Sequence, residues 1–350
     1  MRRLLVRAPN WIGDAVMAIP ALRAIRRAHT DWEVTILALP WVAALYEGEG
    51  FCDSVHLYQR DAAHRGIVGR ERLARALRKR AFDRAILLQN AFSAAWLAWR
   101  ARVPQRIGYN RDGRGLLLTD RIGVPRPGSI PAHQRFYYLE LVRRAGFIES
   151  FPADTAARFD RVEALRRKGL SEWRRRGLPA GPWVGVSPGA AFGRAKRWIP
   201  GRFARAAQVL ARELQARLAV FGSSAESELA ADVARECGPR AVCLAGRTSL
   251  GEFLALASTC QLFLSNDSGP MHVAAALGVP TVAVFGSTDA EATGPAAPWS
   301  RVVRNPVDCA PCLLRECPIE GHPCMAGVGA QAVVAQARSL LASGGARSGP

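Results

Sequence analysis

The chain has 350 residues, 49% of them hydrophobic and 22% charged, which suits a globular protein of two ordinary domains and excludes a disordered one. No apolar run approaches the roughly 18 residues of a membrane-spanning helix. The basic start is interrupted by Pro9, Asn10 and Asp14 too early for a signal peptide, so a cytoplasmic protein is expected.

Residues 2–8 read as a strand, 9–13 as a loop and 14–28 as a helix. A strand at 34–39, a short helix at 41–47, a strand at 55–57 and an arginine-rich helix at 70–80 follow, with Leu73 and Leu77 one turn apart. A strand at 85–89 and a helix at 91–102 lead into a Gly- and Arg-rich loop at 106–119 and a helix at 133–145. After a helix at 161–176, the stretch Gly177-Leu178-Pro179-Ala180-Gly181-Pro182 is the best boundary signal in the chain. Strand and helix then alternate again from 183 to 285. This rhythm predicts an α/β protein with parallel sheets, in two domains over 1–177 and 182–342, and a disordered Gly/Ser-rich tail at 343–350.

The formal net charge of +19 draws polyanions such as nucleic acid, an anionic membrane surface or a phosphorylated glycolipid, without choosing among them. Only three of the 48 basic residues are lysines, Lys79, Lys168 and Lys196.

Three strand-to-helix loops of the later half carry candidate chemistry, because open α/β sheets bind ligands at the carboxyl ends of their strands. In Ser265-Asn266-Asp267-Ser268-Gly269-Pro270-Met271-His272, Asp267 or Ser268 can cap the helix and Gly269 permits close backbone approach. Pro270 sits where a missing N–H costs nothing, and the helix start suits a diphosphate. His272 either points to the same ligand or simply packs. The loop from Ser187, Gly189 and Ala190 to Lys196 and Arg197 ends in adjacent cations, fit for phosphate oxygens or merely solvated. Glu226, after Phe221-Gly222-Ser223-Ser224-Ala225, can accept ribose hydroxyls or serve only the helix start. In the first half, Asp14 follows Asn10-Trp11-Ile12-Gly13 and is either a helix N-cap or a base for an acceptor hydroxyl.

Four cysteines cluster as Cys309-x2-Cys312-x4-Cys317-x6-Cys324, with His322 among them. Tetrahedral zinc is feasible with these ligands, but the spacing is not a standard paired knuckle and reduced thiols are the alternative. A basic nucleic-acid-binding protein would explain the charge but leave the strand-end loops unemployed, and a nucleotide-sugar epimerase would need no acceptor.

The segments Arg7–Met17, Pro188–Ala190 with Ala195–Trp198, Asn266–His272 and the cysteine cluster together resemble the heptosyltransferases that build the lipopolysaccharide inner core, glycosyltransferase family 9. The resemblance spans nearly the whole chain. It implies a GT-B fold, two Rossmann-like α/β/α domains facing across a cleft, the first for the acceptor and the second for the nucleotide sugar. It further implies inverting transfer from an ADP-heptose donor to an anionic lipopolysaccharide-precursor acceptor at the cytoplasmic face of the inner membrane. No cofactor, metal or nucleic acid is expected, and the protein is expected to be a monomer. Asp14 would be the general base and Lys196 would stabilise charge on the leaving diphosphate. Ser187, Gly189, Ala190, Arg197, Asn266, Asp267, Ser268, Gly269 and His272 would hold the diphosphate and heptose, and Glu226 the ribose. Asn10-Trp11-Ile12 and the cysteines resemble the branch that adds the second heptose.

Overall fold

The computed structural model describes residues 1–343, and the remainder of the expected tail lies outside the described residues. The chain divides into two compact units, Met1–Asp160 and Arg161–Pro350.

The first unit runs β1 (Arg3–Arg7), α1 (Ile12–Met17), α2 (Ile19–Ala28), β2 (Glu33–Ala38), α3 (Pro40–Ala43), β3 (Ser54–Leu57) and α4 (Gly66–Lys79). It continues with β4 (Arg84–Leu87), α5 (Phe92–Arg100), β5 (Gln105–Tyr109), β6 (Asp120–Ile122) and α6 (Gln134–Arg144). Its sheet is parallel throughout, in the order β3-β2-β1-β4-β5-β6. Leu4, Leu5 and Val6 of β1 are all buried, the near-continuous apolar run of a strand covered on both faces. The expected single helix over 14–28 is two helices: Pro20, with no N–H to donate, falls at the start of α2, and the chain breaks at Ala18. The expected loop at 106–119 holds β5 and a 3-10 turn at Arg114–Leu117, since Ile107 and Tyr109 bury against the sheet despite the arginines around them.

The second unit begins with α7 (Val162–Arg175), then β7 (Trp183–Ser187), α8 (Pro200–Glu213), β8 (Arg217–Val220), α9 (Ser227–Cys237), β9 (Ala241–Cys243) and α10 (Leu250–Ser258). After these come β10 (Cys260–Asn266), α11 (Gly269–Ala276), β11 (Thr281–Phe285), α12 (Ala290–Thr293), β12 (Ser300–Arg304), α13 (Pro323–Ala326) and α14 (Ala330–Ala342). This sheet is also parallel, in the order β12-β11-β10-β7-β8-β9. Val184, Val186, Leu218, Val220, Leu262 and Leu264 build its core with Trp198 and Phe203 from outside the strands. Each such side chain stabilises the unit by about 1.5–3 kcal/mol relative to exposure.

The division of the chain falls ahead of the Gly/Pro stretch expected to mark it, because α7 belongs to the second unit. Trp173 of α7 stacks on Trp183 of β7 at 4.0 Å, and its Nε1 donates to Thr259 Oγ1 at 2.9 Å. Turn residues 177–182 therefore connect two elements of one unit rather than two domains.

Each sheet has one point where the strand order reverses, between β1 and β4 in the first and between β7 and β10 in the second. There the connections leave to opposite faces, and the carboxyl ends of the two strands flank a crevice.

Candidate functional site

In the second unit the reversal point brings together the loops that follow β7 and β10. Ser187 at the end of β7 is in register with Ser265 of β10. The next residue, Asn266, ties the two loops: its Nδ2 donates to the Pro188 carbonyl at 2.7 Å, and its Oδ1 accepts from the Trp198 N–H at 2.9 Å. Asn266 is fully buried, so this fastening is shielded from water and fixes the position of everything between 188 and 198.

Lys196 lies in a 3-10 turn, Arg194–Lys196, and its Nζ is 2.6 Å from Asp267 Oδ2. The same ammonium stands over the Phe192 ring at 4.7 Å, and the Arg315 guanidinium shares that ring at 5.2 Å. Asp267 Oδ2 also accepts from the Thr288 hydroxyl. Thr288 lies just beyond β11, so three adjacent strand ends supply this one cluster. Arg197 is half-buried beside it, with its Nε lacking a hydrogen-bond partner among the described residues.

Ser268 occupies the N-cap position of α11 without a side-chain cap bond, its Oγ lying 3.2 Å from Ser265 Oγ. Gly269 and Pro270 open the helix, and His272 is buried in its first turn. Glu226 completes a capping box with Ser223, accepting the Ser223 N–H at 2.8 Å and its hydroxyl at 2.7 Å. Its Oε1 lies against Gly189, where a β-carbon would come within 2.0 Å of it. A larger residue at 189 would push this carboxylate out of its place, and Ala190 beside Gly189 is buried.

The cysteine-bearing segment leans on the same cluster. Ala195 N–H donates to the Arg315 carbonyl at 2.9 Å, Leu313 N–H to the Ser287 carbonyl at 2.7 Å, and His322 Nε2 lies 3.1 Å from the Ala195 carbonyl. All four thiols are free; Cys309 is exposed and Cys324 buried. Burial, followed by the nearby Cys317, Cys309 and Cys312, pushes the Cys324 thiol up. Among the described residues no three His, Cys, Asp or Glu side chains converge as a metal site.

In the first unit, Asp14 sits on α1, whose N-cap position is Trp11, so Asp14 is not the cap. The Tyr138 hydroxyl of α6 donates to Asp14 Oδ1 at 3.1 Å. Burial above all, then the charge of Asp14, holds the Tyr138 hydroxyl well above the ordinary tyrosine range, so it remains a donor. The loop ahead of Asp14 is fastened by Arg7, which donates to Asn10 Oδ1 at 2.6 Å, and by Trp41 Nε1, which donates to the Asn10 carbonyl at 2.8 Å. Burial pulls the Arg7 guanidinium down to about 10, which leaves it charged at neutral pH. Farther along the same sheet edge, buried Arg114 donates to the Tyr109 carbonyl at 2.9 Å and to Asn90 Oδ1 at 3.0 Å. Asn90 Nδ2 donates in turn to the Tyr137 hydroxyl at 3.0 Å.

Every residue singled out in the second-half loops thus lies around the carboxyl ends of β7, β8 and β10. Thr288 and Tyr138 were not anticipated. Thr288 was open to the strand-end argument, since it follows the apolar strand β11. Tyr138 had no signal, because only the fold brings α6 to α1.

The model of glycosyltransferase family 9 (heptosyltransferase) matches residues 70–322. The lipopolysaccharide heptosyltransferase 2 of Escherichia coli (strain K12) is 28% identical over 315 residues, covering 86% of this chain and 88% of that protein. The lipooligosaccharide heptosyltransferase 2 of Campylobacter jejuni is 26% identical over 352 residues, covering 97% and 98%. The solved structure of the E. coli ADP-heptose LPS heptosyltransferase II superposes with a TM-score of 0.83 at 26% identity, over 99% of this chain and 100% of that one. With two parallel six-stranded α/β units of the GT-B type and a family match over most of its length, the chain belongs to glycosyltransferase family 9 and is a glycosyltransferase.

Proposed function

We propose that the protein moves heptose from ADP-L-glycero-β-D-manno-heptose to heptosyl-Kdo2-lipid A, with inversion, as a heptosyltransferase II. The relatives from Escherichia coli and Campylobacter jejuni, matched over 86% and 97% of this chain, are named heptosyltransferase 2. The observation that carries the site assignment is the Lys196–Asp267–Thr288 cluster at the reversal point of the second sheet.

In this reading the donor diphosphate lies along the start of α11 and the loop Ser187–Ala190. Lys196 and Arg197 face its oxygens, and the N–H groups of the α11 first turn add their partial charge. Ser187, Gly189, Ala190, Asn266, Ser268, Gly269 and His272 shape the bed for diphosphate and heptose. The Glu226 oxygen beside Gly189 meets the ribose. Asp267 takes a different part from its neighbours. A carboxylate repels a diphosphate, so it orients the Lys196 ammonium rather than binding phosphate itself.

Asp14 takes the proton from the acceptor heptose hydroxyl. That oxygen bonds to the donor anomeric carbon as the bond from this carbon to the diphosphate oxygen breaks, and ADP leaves with the electron pair. Tyr138 holds Asp14 in place, and Lys196 offsets the charge that grows on the departing phosphate. No metal takes part. The strong positive charge suits a phosphorylated acceptor, and the protein works as a monomer at the cytoplasmic face of the inner membrane. No helix among the described residues is long and apolar enough to cross a membrane.

The test is transfer of radiolabelled heptose from its ADP donor to acceptors of defined inner-core length. Label is expected on heptosyl-Kdo2-lipid A. Label on Kdo2-lipid A alone would instead assign the first heptose transfer, and label on neither would overturn the reading.

A further inference from the structure

The helix α4 buries Gly69, Leu73, Ala74 and Leu77 along one stripe, the spacing of an amphipathic helix on a sheet. Its first turn breaks the pattern. Ile67 and Val68 point away from that stripe and are 78% and 76% exposed, adjacent aliphatic side chains almost wholly in water. Single exposed apolar residues are ordinary, but this pair does not stand alone. The loop that precedes it, packed on the same turn through His64 and Gly69, sets the Arg60 guanidinium over the ring of Trp41 at 5.4 Å. Trp41 is itself 42% exposed, although its Nε1 is engaged with the Asn10 carbonyl.

The surroundings are strongly cationic. Residues 60–80 hold eight Lys and Arg against two Asp and Glu. Arg60, Arg65 and Arg72 are exposed around the aliphatic pair. An apolar tip, an amphipathic indole and a basic rim are the three features of a surface that enters the headgroup layer of an anionic bilayer. The location fits as well. Trp41 and the 58–65 loop follow the carboxyl ends of β2 and β3, and in a parallel sheet those ends share one edge with the end of β1, where Asp14 stands.

We propose that Ile67 and Val68, with Trp41 and the arginines Arg60, Arg65 and Arg72, dock the first unit on a bilayer of anionic phospholipid, beside the Asp14 edge. This deepens the proposed function by naming the surface that meets the membrane, and it rests on that reading only for its purpose. A lipid-linked acceptor is then delivered to the base without leaving its membrane.

The full chain is sedimented with vesicles of phosphatidylcholine, with or without phosphatidylglycerol, none containing acceptor glycolipid. Binding is expected only with phosphatidylglycerol, weakening as salt screens the arginines. The double variant Ile67→Asp with Val68→Asp should lower vesicle affinity by about tenfold or more. The milder pair Ile67→Ser with Val68→Ser, which adds no charge, should lower it in the same direction. Transfer to a deacylated, water-soluble acceptor should be unchanged in both. Wild-type vesicle binding by both double variants overturns the proposal, as does loss of transfer to the soluble acceptor, which would give the pair a part in the reaction. Because the vesicles carry neither donor nor acceptor, a failure here is separate from a failure of the proposed transfer.

Discussion

Lys196 Nζ and Asp267 Oδ2 lie 2.6 Å apart, with the lysine side chain only 13% and the aspartate only 4% exposed. The pair joins two loops that are distant in sequence, and Thr288 and Phe192 close it from other sides. An ammonium so held is fixed in position before a diphosphate arrives, which lowers the ordering cost of binding.

Replacing Lys196 by Ala should reduce kcat/KM for the nucleotide sugar by about a hundredfold. Lys196→Arg should restore little of it, since a planar fork does not fit the place of a compact charge between a ring and a carboxylate. Asp267→Ala should cost about 3 kcal/mol of stability by leaving the lysine unpaired in a mostly buried site. Steady-state donor kinetics and urea unfolding check the two effects, and unchanged donor kinetics in Lys196→Ala would refute its phosphate role.

Asp14→Asn should leave donor binding intact while turnover falls by roughly two or more orders of magnitude. Tyr138→Phe removes only the hydroxyl that positions the carboxylate, so kcat should fall by about tenfold with the donor KM unchanged. Isothermal calorimetry with ADP-heptose, beside turnover with the acceptor, separates binding from chemistry. Turnover near wild type in Asp14→Asn would remove it from the reaction.

Gly169 of α7 lies so close to α10 that a β-carbon would stand 2.1 Å from the Ala255 carbonyl oxygen. Backbone cannot give way as a side-chain tip can. Gly169→Ala should therefore destabilise the second unit by roughly 1–3 kcal/mol through overpacking. Thermal unfolding followed by tryptophan fluorescence reports directly, since Trp173 and Trp183 stack next to this contact.

The same helix carries an acid-sensitive tie. Hydrogen bonds from Arg175 and then Arg176 draw the Glu172 carboxyl from its ordinary 4.5 down to about 2. A carboxylate lowered on folding stabilises the native state above its unfolded value and loses that contribution as pH falls toward its folded value. The loss should run from about pH 4.5 to about pH 2. Glu172→Gln should lower the melting temperature at neutral pH by roughly 2–4 °C and flatten the stability profile across this window. A mutant profile as steep as wild type would count against the tie.

Much of this protein was legible from the chain alone. Apolar strands such as Leu262–Leu264 and Thr281–Phe285, each followed by small and polar residues, announce parallel strands with ligand-binding ends. The loops around Ser187, Lys196, Asp267 and His272 follow from that rule alone. Their meaning is local: strand, turn and helix start are set within about ten residues, and the turn chemistry is written there.

What the chain could not disclose is every relationship between distant segments. That Lys196 pairs with Asp267, that Tyr138 reaches Asp14, and that Thr288 completes the cluster depend on strand order, and strand order is fixed by packing of whole layers. The helix α7 shows the same limit, since its ownership by the second unit rests on Gly169 meeting Ala255 and Trp173 meeting Trp183. Local sequence thus determined which elements form and which loops carry polar chemistry, because backbone geometry and hydrophobic period act over a few residues. The tertiary structure decided who meets whom, because that choice is made by burial of the entire core at once.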